Sequence, residues 1–174
     1  TGLYRQVAAR MNYLAQDRPD IQYATKEVCR GMSAPAQRHW KLMRRVGRYL
    51  IQNPRFVMQY PWQKPSNTID SFSDSDFAGC RETAKSTSGG VIMIGNHLIK
   101  SYSSTQKTIA LSSAEAELTA AVKCSCETIG ITQLAADWGL HLYGNIYTES
   151  SSALAVIKRK GAGKLRHVRV GQLW

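Results

Sequence analysis

Apolar positions recur at helical spacing through the first third of the chain. Tyr4, Val7, Ala8, Met11 and Leu14 mark one stripe, which Arg18-Pro19 interrupts. Asp20 can cap a second helix carrying Ile21, Tyr23, Ala24, Val28 and Met32. Ser33 or Ala34 can cap a third, with Pro35 in its first turn, where a missing amide donor is tolerated. Trp40, Met43, Val46, Gly47 and Leu50 form its apolar face until Asn53-Pro54 stops it. A short strand over 56–60 is expected next. Residues 61–68 contain two prolines and few apolar side chains and read as a linker.

Beyond the linker the period changes. Residues 69–77 alternate like a strand, and 79–88 are polar and loop-like. Segments 88–95 and 98–104 flank Gly95-Asn96-His97, a hairpin signal. Ser112 or Ser113 can cap a long helix over 112–138, with Glu115 at capping-box distance from Ser112. Gly139 or Gly144 ends it. A strand at 146–148, a helix over 151–160 and a basic tail to Trp174 follow. The long helix crosses back to the sheet, so the sheet is expected to be mixed. The reading is an α/β protein: a helical lobe over 1–60, a linker over 61–68, and a mixed-sheet domain with packed helices over 69–174.

With 174 residues, 43% of them apolar and 20% charged, the chain can bury a core without disulfides. Its cysteines (Cys29, Cys80, Cys124 and Cys126) lack zinc-knuckle spacing and read as thiols in a reducing, intracellular setting. No apolar run reaches a membrane span, and no signal peptide is legible. The charge is less ordinary. Twenty-three basic residues against twelve acidic ones give +11, a field that favours polyanions. Residues 1–62 hold eleven Lys or Arg against only Asp17, Asp20 and Glu27. Arg44, Arg45 and Arg48 flank the apolar face of the third helix and are candidate phosphate contacts. Lys158, Arg159, Lys160, Lys164 and Arg166 lie in an acid-free run with the same potential.

The acids concentrate in the second part. Asp74 and Asp76 share a strand face, Glu115 and Glu117 open the long helix, and Glu149 follows the last strand. Strand ends and a helix start in one layered sheet can converge, and clustered carboxylates call for a cation such as Mg²⁺ or Mn²⁺. Two such ions can activate water and stabilise the leaving oxygen of a phosphodiester. Periodicity does not choose between Asp74 and Asp76, nor between Glu115 and Glu117.

Several motifs resemble one family, in order, over nearly the whole chain. Ser73-Asp-Ser-Asp-Phe-Ala-Gly79, Lys85-Ser-Thr-Ser-Gly-Gly90, the run from Gln106 to Glu117 and Arg166-His167 resemble the ribonuclease H domain of Ty1/copia-type retrotransposon polyproteins. Tyr13-Leu-Ala15, Arg18-Pro-Asp-Ile21 and His39-Trp-Lys41 with Arg45-Val-Gly-Arg-Tyr-Leu50 resemble the segment joining reverse transcriptase to it. The resemblance implies a ribonuclease H-like fold and metal-dependent cleavage of RNA in RNA/DNA hybrids. Asp74 and Glu117 take the first two metal-ligand positions, and Glu149 stands where the family has an aspartate. It also implies a last strand and an Ala-Asp motif with a fourth carboxylate. The sequence reaches Trp174 without them, so a domain short of one strand and very weak or absent hybrid cleavage are expected. Two other readings compete: an inactive relic docking other protein subunits, and a basic nucleic-acid-binding module.

Overall fold

A computed structural model describes residues 2–159, in two compact units that divide after Gln59. The first is helical: α1 (Gly2–Leu14), a 3₁₀ turn (Pro19–Ile21), α2 (Gln22–Cys29) and α3 (Gln37–Gln52). Tyr4, Ala8, Val28, Met43 and Val46 form its core, with Met11, Ala24, Trp40 and Leu50 packed around them. These are the residues of the three predicted stripes. Tyr4 spends its hydroxyl on the Val28 carbonyl (2.6 Å), so a buried phenol leaves no unmet donor.

Three local expectations for this unit need correction. Asp20 does not cap α2; both its oxygens accept from the buried Arg18 guanidinium at 2.8 and 2.9 Å, and Arg18 also donates to Asn53 O. A buried guanidinium needs a carboxylate partner, and Asp20 supplies it in place of a cap. The N-cap of α3 is Ala36, not Ser33 or Ala34, and Pro35 precedes the helix. His39 turns back to accept from the Ala36 amide through Nδ1 (3.0 Å), which satisfies an amide that Ala36 itself cannot. Residues 56–60 form no strand, because they are exposed and pair with no other strand.

The second unit holds β1 (Thr68–Asp76), β2 (Thr87–Ile94), β3 (His97–Thr105), α4 (Ser113–Asp137), β4 (Tyr143–Thr148) and α5 (Ser151–Lys158). The sheet order is β3-β2-β1-β4. β1 runs antiparallel to β2 and parallel to β4, and β2 is antiparallel to β3. The mixed α/β architecture is the expected one and is consistent with a ribonuclease H-like fold. Gly95 (φ +57°) makes the β2–β3 hairpin turn. His97, at the start of β3, contacts the Pro61 carbonyl through Nε2 (2.7 Å). Gly139 (φ +78°) terminates α4.

α4 lies on one face of the sheet. Ala116, Ala120, Ala121 and Cys124 are buried along it, over Ile69, Ser71, Ser73 and Ile92. Small side chains on both layers let the backbones approach, and Thr128 Oγ1 reaches Ser71 Oγ at 2.7 Å. Tyr102 of β3 lies across Gly90 of β2 in this layer, where an added Cβ would overlap the phenol ring. Gly90→Ala is therefore expected to cost about 1–3 kcal/mol by overpacking, read as a lower urea midpoint with unchanged m-value.

Candidate active site

The parallel pairing of β1 with β4 runs to Ser73 opposite Thr148, so Asp74 and Glu149 are the next residues at the carboxyl ends of the two strands. Ligand sites in open α/β sheets gather at such ends. The second turn of α4 brings Glu117 to the same end. The loop from β1 to β2 (77–86) is there too.

The two ambiguous pairs separate on geometry. Asp76 is engaged by its own loop: its carboxylate accepts from the Thr87 amide and occupies the space that a Cβ on Gly79 would need. Ala78 (φ 53°) and Ala84 (φ 52°) hold this loop in left-handed backbone, a conformation that alanine adopts at some cost. Glu115 is buried and turned backwards. Its carboxylate accepts from the Leu111 amide (2.8 Å), while its own amide donates to Ser112 Oγ (3.2 Å). Ser112 and Glu115 therefore close the start of α4, with the return bond one residue earlier than in a standard capping box.

Glu117 is half-buried and lies within reach of the charges of the other two acids. Burial pushes its pKa above the ordinary glutamate value, and the charges of Asp74 and Glu149 push it further; a hydrogen bond from the Ser75 amide pulls it back. Asp74 and Glu149 are exposed. A carboxylate whose ionised form is made costly by burial and by two neighbouring acids fits a divalent cation by charge and oxygen chemistry. Among the described residues, no three His, Cys, Asp or Glu side chains are gathered closely enough to hold one ion. Ser71 and Ser73 face α4 and Asp74 alternates with them along β1, so the Asp74 carboxylate has to swing toward Glu117 for ligation.

The cations are distributed differently. Arg44, Arg45 and Arg48 are exposed on α3, in the first unit, whereas the carboxylates belong to the second. Lys158 occupies the last turn of α5, and Arg159 follows it; both are exposed. Lys160, Lys164, Arg166 and His167 lie outside the described residues. Two contributors are not legible in the sequence as site residues. The Ser75 amide eases the charge of the Glu117 carboxylate, and Gln106 ties the end of β3 to α4 from a buried position. The available signal for Gln106 is that it opens the run to Glu117 on which the family resemblance rests. Among the described residues no helix is long and apolar enough to cross a membrane.

No family model matches the chain. It is 34% identical over 141 residues, 80% of its length, to the retrovirus-related Pol polyprotein from transposon RE2 of Arabidopsis thaliana, of which it covers 10%. It is 28% identical over 170 residues, 97% of its length, to the retrovirus-related Pol polyprotein from transposon TNT 1-94 of Nicotiana tabacum, of which it covers 13%. The secreted RxLR effector protein 161 of Plasmopara viticola is 30% identical over 126 residues, 72% of this chain and 88% of that protein. The chain thus spans about a tenth of the length of the polyproteins it matches.

Proposed function

Since the chain belongs to the retrovirus-related Pol polyproteins of copia-type transposons, we propose that its second unit is a ribonuclease H-like domain that hydrolyses RNA in RNA/DNA hybrids with a divalent metal. The observation that carries this reading is the convergence of β1, the start of α4 and the end of β4 at one end of the sheet, where Glu117 feels the charges of Asp74 and Glu149. Asp74 and Glu117 would hold Mg²⁺ or Mn²⁺, with Glu149 as the third ligand on an arm one methylene longer than aspartate. Such a metal supplies an activated water and a stabilised leaving oxygen at the scissile phosphodiester.

The chain's own residues supply position and charge. The Ser75 amide eases the charge of the Glu117 carboxylate. Burial and two like charges keep Glu117 reluctant to ionise alone, so a cation gains more there than at an isolated acid. The Ser112–Glu115 closure fixes the first turn of α4 and with it the axial position of Glu117. The arginines of α3 and the cations after α5 would meet hybrid phosphates, without reading sequence.

The test is cleavage of an end-labelled hybrid in Mg²⁺ and in Mn²⁺. Cleavage confined to the RNA strand, abolished by chelator and reduced at least ~100-fold by Asp74→Asn at unchanged circular dichroism, is the expected result. Cleavage that survives both chelator and Asp74→Asn overturns it. A second reading, nucleic-acid binding without catalysis, draws on the exposed arginines of α3. It takes first place if the hybrid is bound but uncut in either metal.

A further inference from the structure

Gln106 follows β3 directly and is only 5% exposed. Its Nε2 donates to the Ala116 carbonyl (2.8 Å) and to Ser88 Oγ (3.0 Å), with Ser75 Oγ at the outer limit of contact, 3.5 Å. The amide cannot be turned over, because its oxygen would then oppose the Ala116 carbonyl and neither could donate. Its Oε1 is buried and, among the described residues, has no hydrogen-bond partner. An unmet buried acceptor is destabilising, and an apolar side chain of this length would remove that cost. The residue is therefore poorly explained as packing.

Its contacts explain it better. The Ala116 carbonyl belongs to the peptide plane that leads into Glu117. Ser75 follows Asp74 and gives its amide to the Glu117 carboxylate. One carboxamide thus touches the immediate neighbours of two site carboxylates, one on the helix and one on the strand, and ties both to β2 through Ser88. We infer that Gln106 is a positioning residue that latches the second turn of α4 to β1 and β2 and so sets Glu117 against Asp74. The inference rests on the nuclease reading for its consequence in catalysis, but the latch itself is testable without it.

Gln106→Met keeps the length and removes both donors; Ser88→Ala removes one acceptor and serves if the first variant does not fold. For a folded Gln106→Met protein, kcat on a hybrid is expected to fall roughly 10–100-fold with KM unchanged, since misplacement of about 1 Å has that scale of effect. Mn²⁺ affinity, followed by electron paramagnetic resonance on the same protein, is expected to weaken in parallel. Amide hydrogen exchange at 115–118 is expected to speed at least tenfold, with the rest of α4 unchanged. Ser88→Ala should show the same pattern, smaller. If the unaltered chain neither binds Mn²⁺ nor cleaves, the nuclease reading falls, and exchange at 115–118 still decides the latch. Unchanged exchange there, or unchanged kcat and Mn²⁺ affinity in an active protein, overturns the inference. Equal losses in kcat and in the folded fraction, cured by cooling, would reduce Gln106 to a structural residue and overturn it too.

Discussion

Glu117→Gln is expected to abolish metal-dependent cleavage, by at least ~100-fold, and yet to leave the protein more stable at neutral pH. The two effects have one origin. Glu117 is half-buried and opposed by Asp74 and Glu149, so its ionised form is costly in the folded chain. Its raised pKa means that the folded state holds a proton after the unfolded state has released it. Stability from this group is therefore full below the ordinary glutamate pKa, about 4.3, and is lost as pH rises through the folded value. Glutamine keeps an oxygen for the Ser75 amide and carries no charge, so it retains the hydrogen bond and removes the penalty.

Melting temperatures from pH 4 to 8 test this. The unaltered protein should lose stability across the window that begins at the ordinary glutamate value, and Glu117→Gln should flatten that part of the curve. Added Mg²⁺ should restore the loss in the unaltered protein, by about 1.4 kcal/mol at ten times its dissociation constant, and do nothing for the variant. A variant that is less stable than its parent at pH 7, or one that Mg²⁺ stabilises equally, would sink the assignment of Glu117 to the metal.

The strands and the long helix were legible to within a few residues, because their signals are local. Alternation gave 69–77 for the observed 68–76, 88–95 for 87–94 and 98–104 for 97–105. Ser112 capped α4 as its spacing implied. What misled was local chemistry recruited by distant groups. Asp20 looks like a cap until Arg18 is seen to be buried, a fact set by packing against the end of α3 thirty-five residues away. The apolar run at 56–60 has strand composition, but no neighbouring strand to pair with. The choice of Glu117 over Glu115 was unreadable from period alone, since both flank the same stripe. It is decided by where each carboxylate ends up: that of Glu115 is spent on the Leu111 amide, while that of Glu117 feels the charges of Asp74 and Glu149. Asp76 was separable from Asp74 only once the Thr87 amide was known to hold it.

The helical unit should carry much of the affinity for nucleic acid. Arg44 and Arg48 sit one turn apart on α3, Arg45 lies beside them, and all three are exposed, while Met43 and Val46 point into the core. No acid occurs within α3. Two of the unit's three acids are committed elsewhere, Asp20 to Arg18 and Glu27 to Lys26 and Arg30. The stripe's charge is thus neutralised little by its own unit and is available to phosphates. Changing all three to Ala is expected to lower affinity for an RNA/DNA hybrid roughly 10–100-fold at 50 mM salt. The slope of log affinity against log salt should flatten by about 2 to 3, close to 0.9 per lost phosphate contact. Because α3 keeps its core residues, the melting temperature should move little. Changing the three to Lys should preserve the slope, since a phosphate contact needs a point charge more than a guanidinium fork. Fluorescence anisotropy with a labelled hybrid from 50 to 300 mM salt measures all of this. An Ala variant with the affinity and slope of its parent would move the phosphate contacts off α3.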